Sequence, residues 1–151
     1  MRIALFLSSL AFSTAVLAAT VLPYDEKADA KTDIAHALAQ AKTAHVPVLL
    51  IFGANWCEDC RALSASLKNP KNASLIDKEF RVVKIDVGNF DHNVELAQAY
   101  GNPIKKGIPA AVVVTPDNQV VYATKGGELA DARRMSDSGI YDFFERVAHP
   151  K

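Results

Sequence analysis

The sequence predicts an α/β fold, a central mixed four-stranded sheet flanked by helices on both faces. Three observations lead there. Val46-Pro47-Val48-Leu49-Leu50-Ile51-Phe52 is a continuous apolar run of strand length, and such runs suit a strand covered on both sides, as in a parallel sheet. A second strand-like stretch, residues 81–87, follows after helical sequence, which makes the pair a β-α-β unit with parallel strands. Residues 110–115 and 119–124 are two further short runs, joined by Pro116-Asp117-Asn118. They read as a hairpin.

The elements follow in order. Residues 33–44 are alanine-rich, with Ile34, Leu38 and Ala41 at helical spacing, which predicts an amphipathic helix over 28–44. The apolar strand comes next, broken by Gly53-Ala54-Asn55. From Cys57 the pattern is helical, with Cys60, Leu63, Ser64 and Leu67 on one face. Asn69-Pro70 ends or kinks that helix, and Asn72 is placed to cap a second one holding Leu75, Ile76 and Phe80. A short helix over 93–100 stops at Gly101-Asn102-Pro103. After the hairpin, Gly126-Gly127 breaks the chain again. A last helix over 136–148 carries Ile140, Phe143, Phe144 and Val147 on one side.

The start of the chain reads differently. Arg2 gives a positive beginning, residues 3–17 are apolar, and Ala18-Ala19 offers small residues for cleavage. This is the layout of a secretory signal peptide over residues 1–19. It leaves residues 20–151 as one domain in the periplasm or outside the cell. An uncleaved anchor is the other reading, since the run only reaches the lower end of a membrane span of roughly 17–25 residues.

Half of the 151 residues are apolar, and Lys plus Arg equal Asp plus Glu at 17 each. No basic excess points to nucleic acid, and no acidic excess points to disorder. The chain has two cysteines, Cys57 and Cys60. Outside the cytoplasm disulfides persist, but a loop this short stabilises a domain by roughly 2 kcal/mol at most. Stapling is therefore a weak reason for the pair. Exchange chemistry is a better one. Cys57 sits where a buried strand gives way to a helix, and unpaired N–H groups and the helix dipole there favour a thiolate. Cys60, one turn on, can resolve the mixed disulfide that Cys57 forms. Zinc sites also use C-x-x-C spacing, but His36, His45, His92 and His149 show no H-x(3–5)-H spacing.

Strand, Trp56-Cys57-Glu58-Asp59-Cys60-Arg61, helix, strand, helix, then Gly107-Ile108-Pro109-Ala110 before a hairpin and a final helix: this order resembles the thioredoxin superfamily. It looks most like its bacterial secreted thioredoxin-like and disulfide-isomerase-like members. The resemblance covers about residues 33–147. It implies a thioredoxin-like fold and a thiol–disulfide oxidoreductase with Cys57 and Cys60 as its redox-active disulfide. It also implies a cis Ile108–Pro109 peptide beside Cys57, with the backbone of Ile108 pairing with substrate, and Trp56 shielding the site. No organic cofactor or metal is required. The expected partners are disulfides of exported proteins or a membrane redox partner. No nucleic acid and no stable membrane insertion after cleavage are expected, and the protein reads as a monomer. Two alternatives stand beside a reductase: a periplasmic oxidase or isomerase, and a non-enzymatic metallochaperone or adaptor on the same fold.

The chain also departs from the cytoplasmic thioredoxin pattern. The family's buried aspartate before the motif matches Ile51, and its lysine partner matches Val82. The proton acceptor of Cys60 is then open: Glu58 or Asp59 through water, or a group on the partner. Like charge from Glu58 and Asp59 raises the Cys57 pKa and favours the disulfide, with Arg61, Lys105 and Lys106 offsetting part of it. The segment 102–106 is longer than its thioredoxin counterpart and reads either as a partner contact or as a solvated basic loop.

Overall fold

The computed structural model describes residues 21–149. The leader expected over residues 1–19 lies outside the described residues. Nine elements run in the order α1 (Ala30–Ala44), β1 (Val48–Gly53), α2 (Glu58–Ser66), α3 (Pro70–Glu79), β2 (Arg81–Asp86), α4 (Val94–Ala99), β3 (Ala110–Val114), β4 (Val120–Ala123) and α5 (Asp137–Ala148), with two short 3-10 turns at Pro103–Lys106 and Ala132–Arg134. The sheet order is β2-β1-β3-β4. β1 pairs parallel with β2 and antiparallel with β3, which pairs antiparallel with β4. This is the mixed four-stranded sheet the sequence predicts.

Every residue of β1 is buried, which explains its unbroken apolar run. Its two faces feed two cores. On one, Leu50 and Phe52 join Ile34, Ala37 and Ala41 of α1, Val83 and Ile85 of β2 and Leu96 of α4. On the other, Leu49 and Ile51 join Leu63 of α2, Leu75 and Ile76 of α3 and Ile140, Phe143 and Phe144 of α5. Each such side chain contributes about 1.5–3 kcal/mol by leaving water. The small Ala37 and Ala41 face the sheet without bulk, so α1 can lie close to it.

Caps set the helix limits. Asp29 accepts from the N–H groups of Lys31 and Thr32, so α1 begins at Ala30 rather than at 28, and His45 in the left-handed region ends it. The cap expected at Asn72 is instead Asn69, whose side chain accepts from Lys71 N–H, with Pro70 opening the helix. Asn72 lies inside α3 and is buried. Its amide donates to Ser66 O at 3.0 Å and to Asp137 O at 3.2 Å, tying α2 and α3 to the start of α5. Among the described residues no helix is long and apolar enough to cross a membrane.

Candidate active site

β1 ends at Gly53, and the turn Ala54-Asn55-Trp56 delivers Cys57 to the head of α2. Cys57 is the N-cap of that helix. Its Sγ accepts from the Cys60 N–H at 3.1 Å, so the sulfur holds one of the helix's otherwise unpaired donors. Cys57 and Cys60 form a disulfide with Cα atoms 5.2 Å apart. The two sulfurs differ in access: Cys57 is 6% exposed and Cys60 is 0% exposed.

The Ile108–Pro109 peptide is cis. It brings the Ile108 carbonyl oxygen to 3.6 Å from Cys57 Sγ. Gly107, at φ 118°, turns the chain into this step from the 3-10 turn Pro103–Lys106. In that turn Pro103 and Ile104 are buried while Lys105 and Lys106 face solvent, so the segment is a folded shoulder rather than a solvated loop.

A cleft of about 460 Å³ opens over Cys57, walled by Trp56, Phe90, Gly107 and Ile108 and by Glu58, Asp59 and Arg133. Trp56 is 54% exposed and Phe90 45% exposed. Trp56 is fixed by its indole N–H, which donates to Gly88 O at 2.8 Å, and Phe90 meets it edge-on with ring centres 6.2 Å apart. Phe90 has φ 63°, a left-handed conformation unusual for a bulky side chain.

The charges above the site are arranged differently from the expected set. The Arg61 guanidinium donates to Asn55 O at 2.8 Å, in the turn ahead of Cys57. The counter-charge of the acidic pair is Arg133, from the 3-10 turn before α5. Its backbone N–H donates to Asp59 Oδ1 at 3.0 Å and its guanidinium to Glu58 Oε2 at 2.7 Å.

Behind the site the N-terminal segment is clasped to the turn. Tyr24 N–H donates to Asn55 Oδ1 at 3.0 Å, and the Asn55 amide donates to Tyr24 O and Glu26 Oε1, both at 2.9 Å. Tyr24 is buried beside Cys60. Ile51 and Val82 are apolar as the alignment of motifs implies. Ile51 is opposite Lys84 rather than Val82, and the Lys84 amine, its pKa lowered first by burial and then by Lys68, donates to Ser64 Oγ at 2.8 Å. Sequence reasoning missed Tyr24, Asn55, Phe90 and Arg133.

Residues 29–116 match the family model described as thioredoxin-like. No curated protein matches the chain significantly. Among solved structures, a disulphide isomerase from Xylella fastidiosa Temecula1 is 65% identical, covers 87% of this chain and 100% of its own, and superposes with a TM-score of 0.85. The oxidised C-terminal domain of DsbD from Neisseria meningitidis is 27% identical over 78% of this chain and 96% of its own, with a TM-score of 0.56. A thioredoxin from Thermus thermophilus, 21% identical over 76% of this chain and 83% of its own, shares the fold with a TM-score of 0.57.

Proposed function

The chain belongs to the thioredoxin-like family and is a thiol–disulfide oxidoreductase; we propose that it is exported and reduces or exchanges disulfides in proteins of the cell envelope. In this reading residues 1–19 are the leader and residues 20–151 the working domain. Cys57 is the nucleophile, Cys60 the resolving thiol, and Trp56, Ile108 and Pro109 receive the substrate. One observation carries it: of two bonded sulfurs, one caps a helix at the floor of an open cleft and the other is sealed behind it.

The chemistry follows from that difference. The reduced Cys57 thiolate, held by the Cys60 N–H and the head of α2, attacks a substrate disulfide. The substrate's outgoing sulfur leaves as a thiolate and Cys57 is joined to the other. Cys60 then attacks Cys57 Sγ and releases the second substrate thiol. The Xylella protein is described as a disulphide isomerase, which favours isomerisation as the second reading. There the same Cys57 attack occurs, but a thiol of the substrate completes the exchange.

A glutathione redox equilibrium of the Cys57–Cys60 couple separates the two, since ~30 mV corresponds to about a tenfold change in equilibrium. A reductase gives a couple well below the glutathione poise. A couple at or above that poise, with scrambled ribonuclease reactivated by the protein, overturns reduction in favour of isomerisation. Cell fractionation tests export, and recovery of the full-length chain in the cytoplasm refutes it.

A further inference from the structure

The exchange cycle leaves one step without a residue. Cys60 must lose its proton before it can attack, because the thiolate is the nucleophile. Yet Cys60 is fully buried, so bulk water cannot take the proton directly, and burial itself disfavours the thiolate. Glu58 and Asp59 lie on the cleft side and hold Arg133.

A different set of groups stands behind Cys60. Gly53 has no side chain, and the space a Cβ would take there is filled by the Tyr24 ring and hydroxyl on one side and by Cys60 Sγ, 3.0 Å from that point, on the other. The Tyr24 hydroxyl and the Cys60 sulfur therefore flank one glycine. The cross-strand partner of Gly53 is Asp86, a carboxylate only 6% exposed. Partners in register project to the same face of a sheet, so Asp86 lies on the side where Tyr24 and Cys60 meet. Their electrostatics are joined: burial, then the charge of Asp86, raises the pKa of the Tyr24 hydroxyl. Burial also raises the pKa of Asp86, against the Gly88 N–H that donates to it. The titratable groups facing Asp86 are Tyr24 and Glu26 of the N-terminal segment and Asp91 and His92 of the loop after β2, with Cys60 reached past Tyr24 at Gly53.

Resting on the exchange reading above, we propose that Asp86 is the acid–base group for Cys60, reached through the Tyr24 hydroxyl. On resolution the Cys60 proton passes to Tyr24 Oη as the tyrosine's own proton passes to the Asp86 carboxylate. The Cys60 thiolate forms the bond to Cys57 Sγ, the bond from Cys57 to the substrate sulfur breaks, and the electron pair leaves with the substrate thiolate. The protein dithiol is oxidised by two electrons and the substrate disulfide is reduced by two. When the Cys57–Cys60 bond is next opened, Cys60 leaves as a thiolate and recovers its proton from Asp86 along the same route.

Stopped-flow reaction of the reduced protein with an aromatic disulfide that releases a coloured thiolate reads both steps. The first release reports attack by Cys57 and the second reports resolution by Cys60. In the wild type the second phase falls as pH drops through the Asp86 range and is flat above it. Asp86→Asn, which keeps an oxygen for the Gly88 N–H, slows the second phase by roughly 100-fold at neutral pH. Its rate then climbs with pH until it meets the wild type. Tyr24→Phe keeps the ring and slows the same phase by about tenfold. In both variants the first phase is unchanged. A wild-type rate and pH profile for the second phase in Asp86→Asn, or a wild-type rate in Tyr24→Phe, overturns the relay. Absence of the first phase in the wild type itself would instead sink the exchange reading on which the relay rests.

Discussion

Cys57 and Cys60 occupy one turn of one helix, yet the two sides of their bond are built on opposite lines. In front of Cys57 the surroundings are more exposed and held from outside the helix: Trp56 by the Gly88 carbonyl, Phe90 on its own left-handed backbone, and the acidic pair by the backbone N–H and guanidinium of Arg133 from a distant turn. Behind Cys60 the surroundings are packed: Gly53, Tyr24 and Asp86 leave no space that a methyl group could enter. The front can change shape around a partner at little cost to the fold. The rear cannot, because a filled interior passes any added volume on to its neighbours. In the proposed cycle this division makes the reachable sulfur the attacking one and the sealed sulfur the resolving one.

The largest effect expected from breaking this contrast is on exchange itself. Cys57→Ser abolishes turnover, whereas Cys60→Ser keeps the front intact and accumulates mixed disulfides visible on a non-reducing gel. Trapping through Cys60 in the Cys57→Ser protein would invert the assignment of front and rear. Next is the rear packing. Gly53→Ala drives a methyl into Tyr24 and the Cys60 sulfur and lowers the urea-unfolding free energy by about 1–3 kcal/mol. Combined with Tyr24→Ala, which empties the same space, it costs less than the sum of the two single changes. Additive losses would show that the two side chains do not compete.

On the front, Phe90→Gly removes an exposed ring and a strained backbone together. Stability stays within about 1 kcal/mol, while KM for a protein disulfide rises several-fold. A large loss of stability with unchanged KM would make Phe90 a packing residue. A fourth expectation concerns pH. The folded Asp86 has a raised pKa, so its contribution is fully present below the unfolded carboxylate range and is lost as pH rises through the folded value. Asp86→Asn is therefore more stable than the wild type at neutral pH, and the gap closes in acid; a gap that widens in acid refutes the sign. The smallest effect is Arg133→Gln. Without its counter-charge the acidic pair raises the Cys57 pKa, slows alkylation of Cys57 at neutral pH by about twofold to threefold and makes the couple slightly more reducing. Molar salt removes the difference, and a rate unchanged at low salt would leave Arg133 a structural link alone.

What the sequence makes legible divides along the same line. The six residues of β1 are all buried, and their unbroken apolar run shows it. The cysteine pair and the step before β3 carry chemistry in residue types and local spacing. Tyr24 sits in a stretch that reads only as polar and irregular, and Arg133 lies in a segment with no periodicity. Both act across long sequence separations, Tyr24 on Asn55 and Arg133 on Glu58 and Asp59, and such contacts leave no mark on neighbouring residues. Asn72 shows the converse error. Its residue type suits a cap, but burial between α2 and α5 recruits its amide for tertiary bonds, and Asn69, beside a proline, takes the capping role.

The clasp between Tyr24 and Asn55 has a consequence for how the chain can be cut and joined. Among the described residues the sheet and the five helices lie downstream of residue 29, so a version begun at α1 would keep each of those elements. It would also lose the Tyr24 ring over Gly53 and both backbone links to the turn ahead of Cys57. Such a truncation would pass a circular-dichroism check and still misreport the redox couple, with Cys60 open to solvent. Fusions and affinity tags therefore belong ahead of Val21 or beyond α5, and a boundary drawn from secondary structure alone falls on the wrong side of the active site.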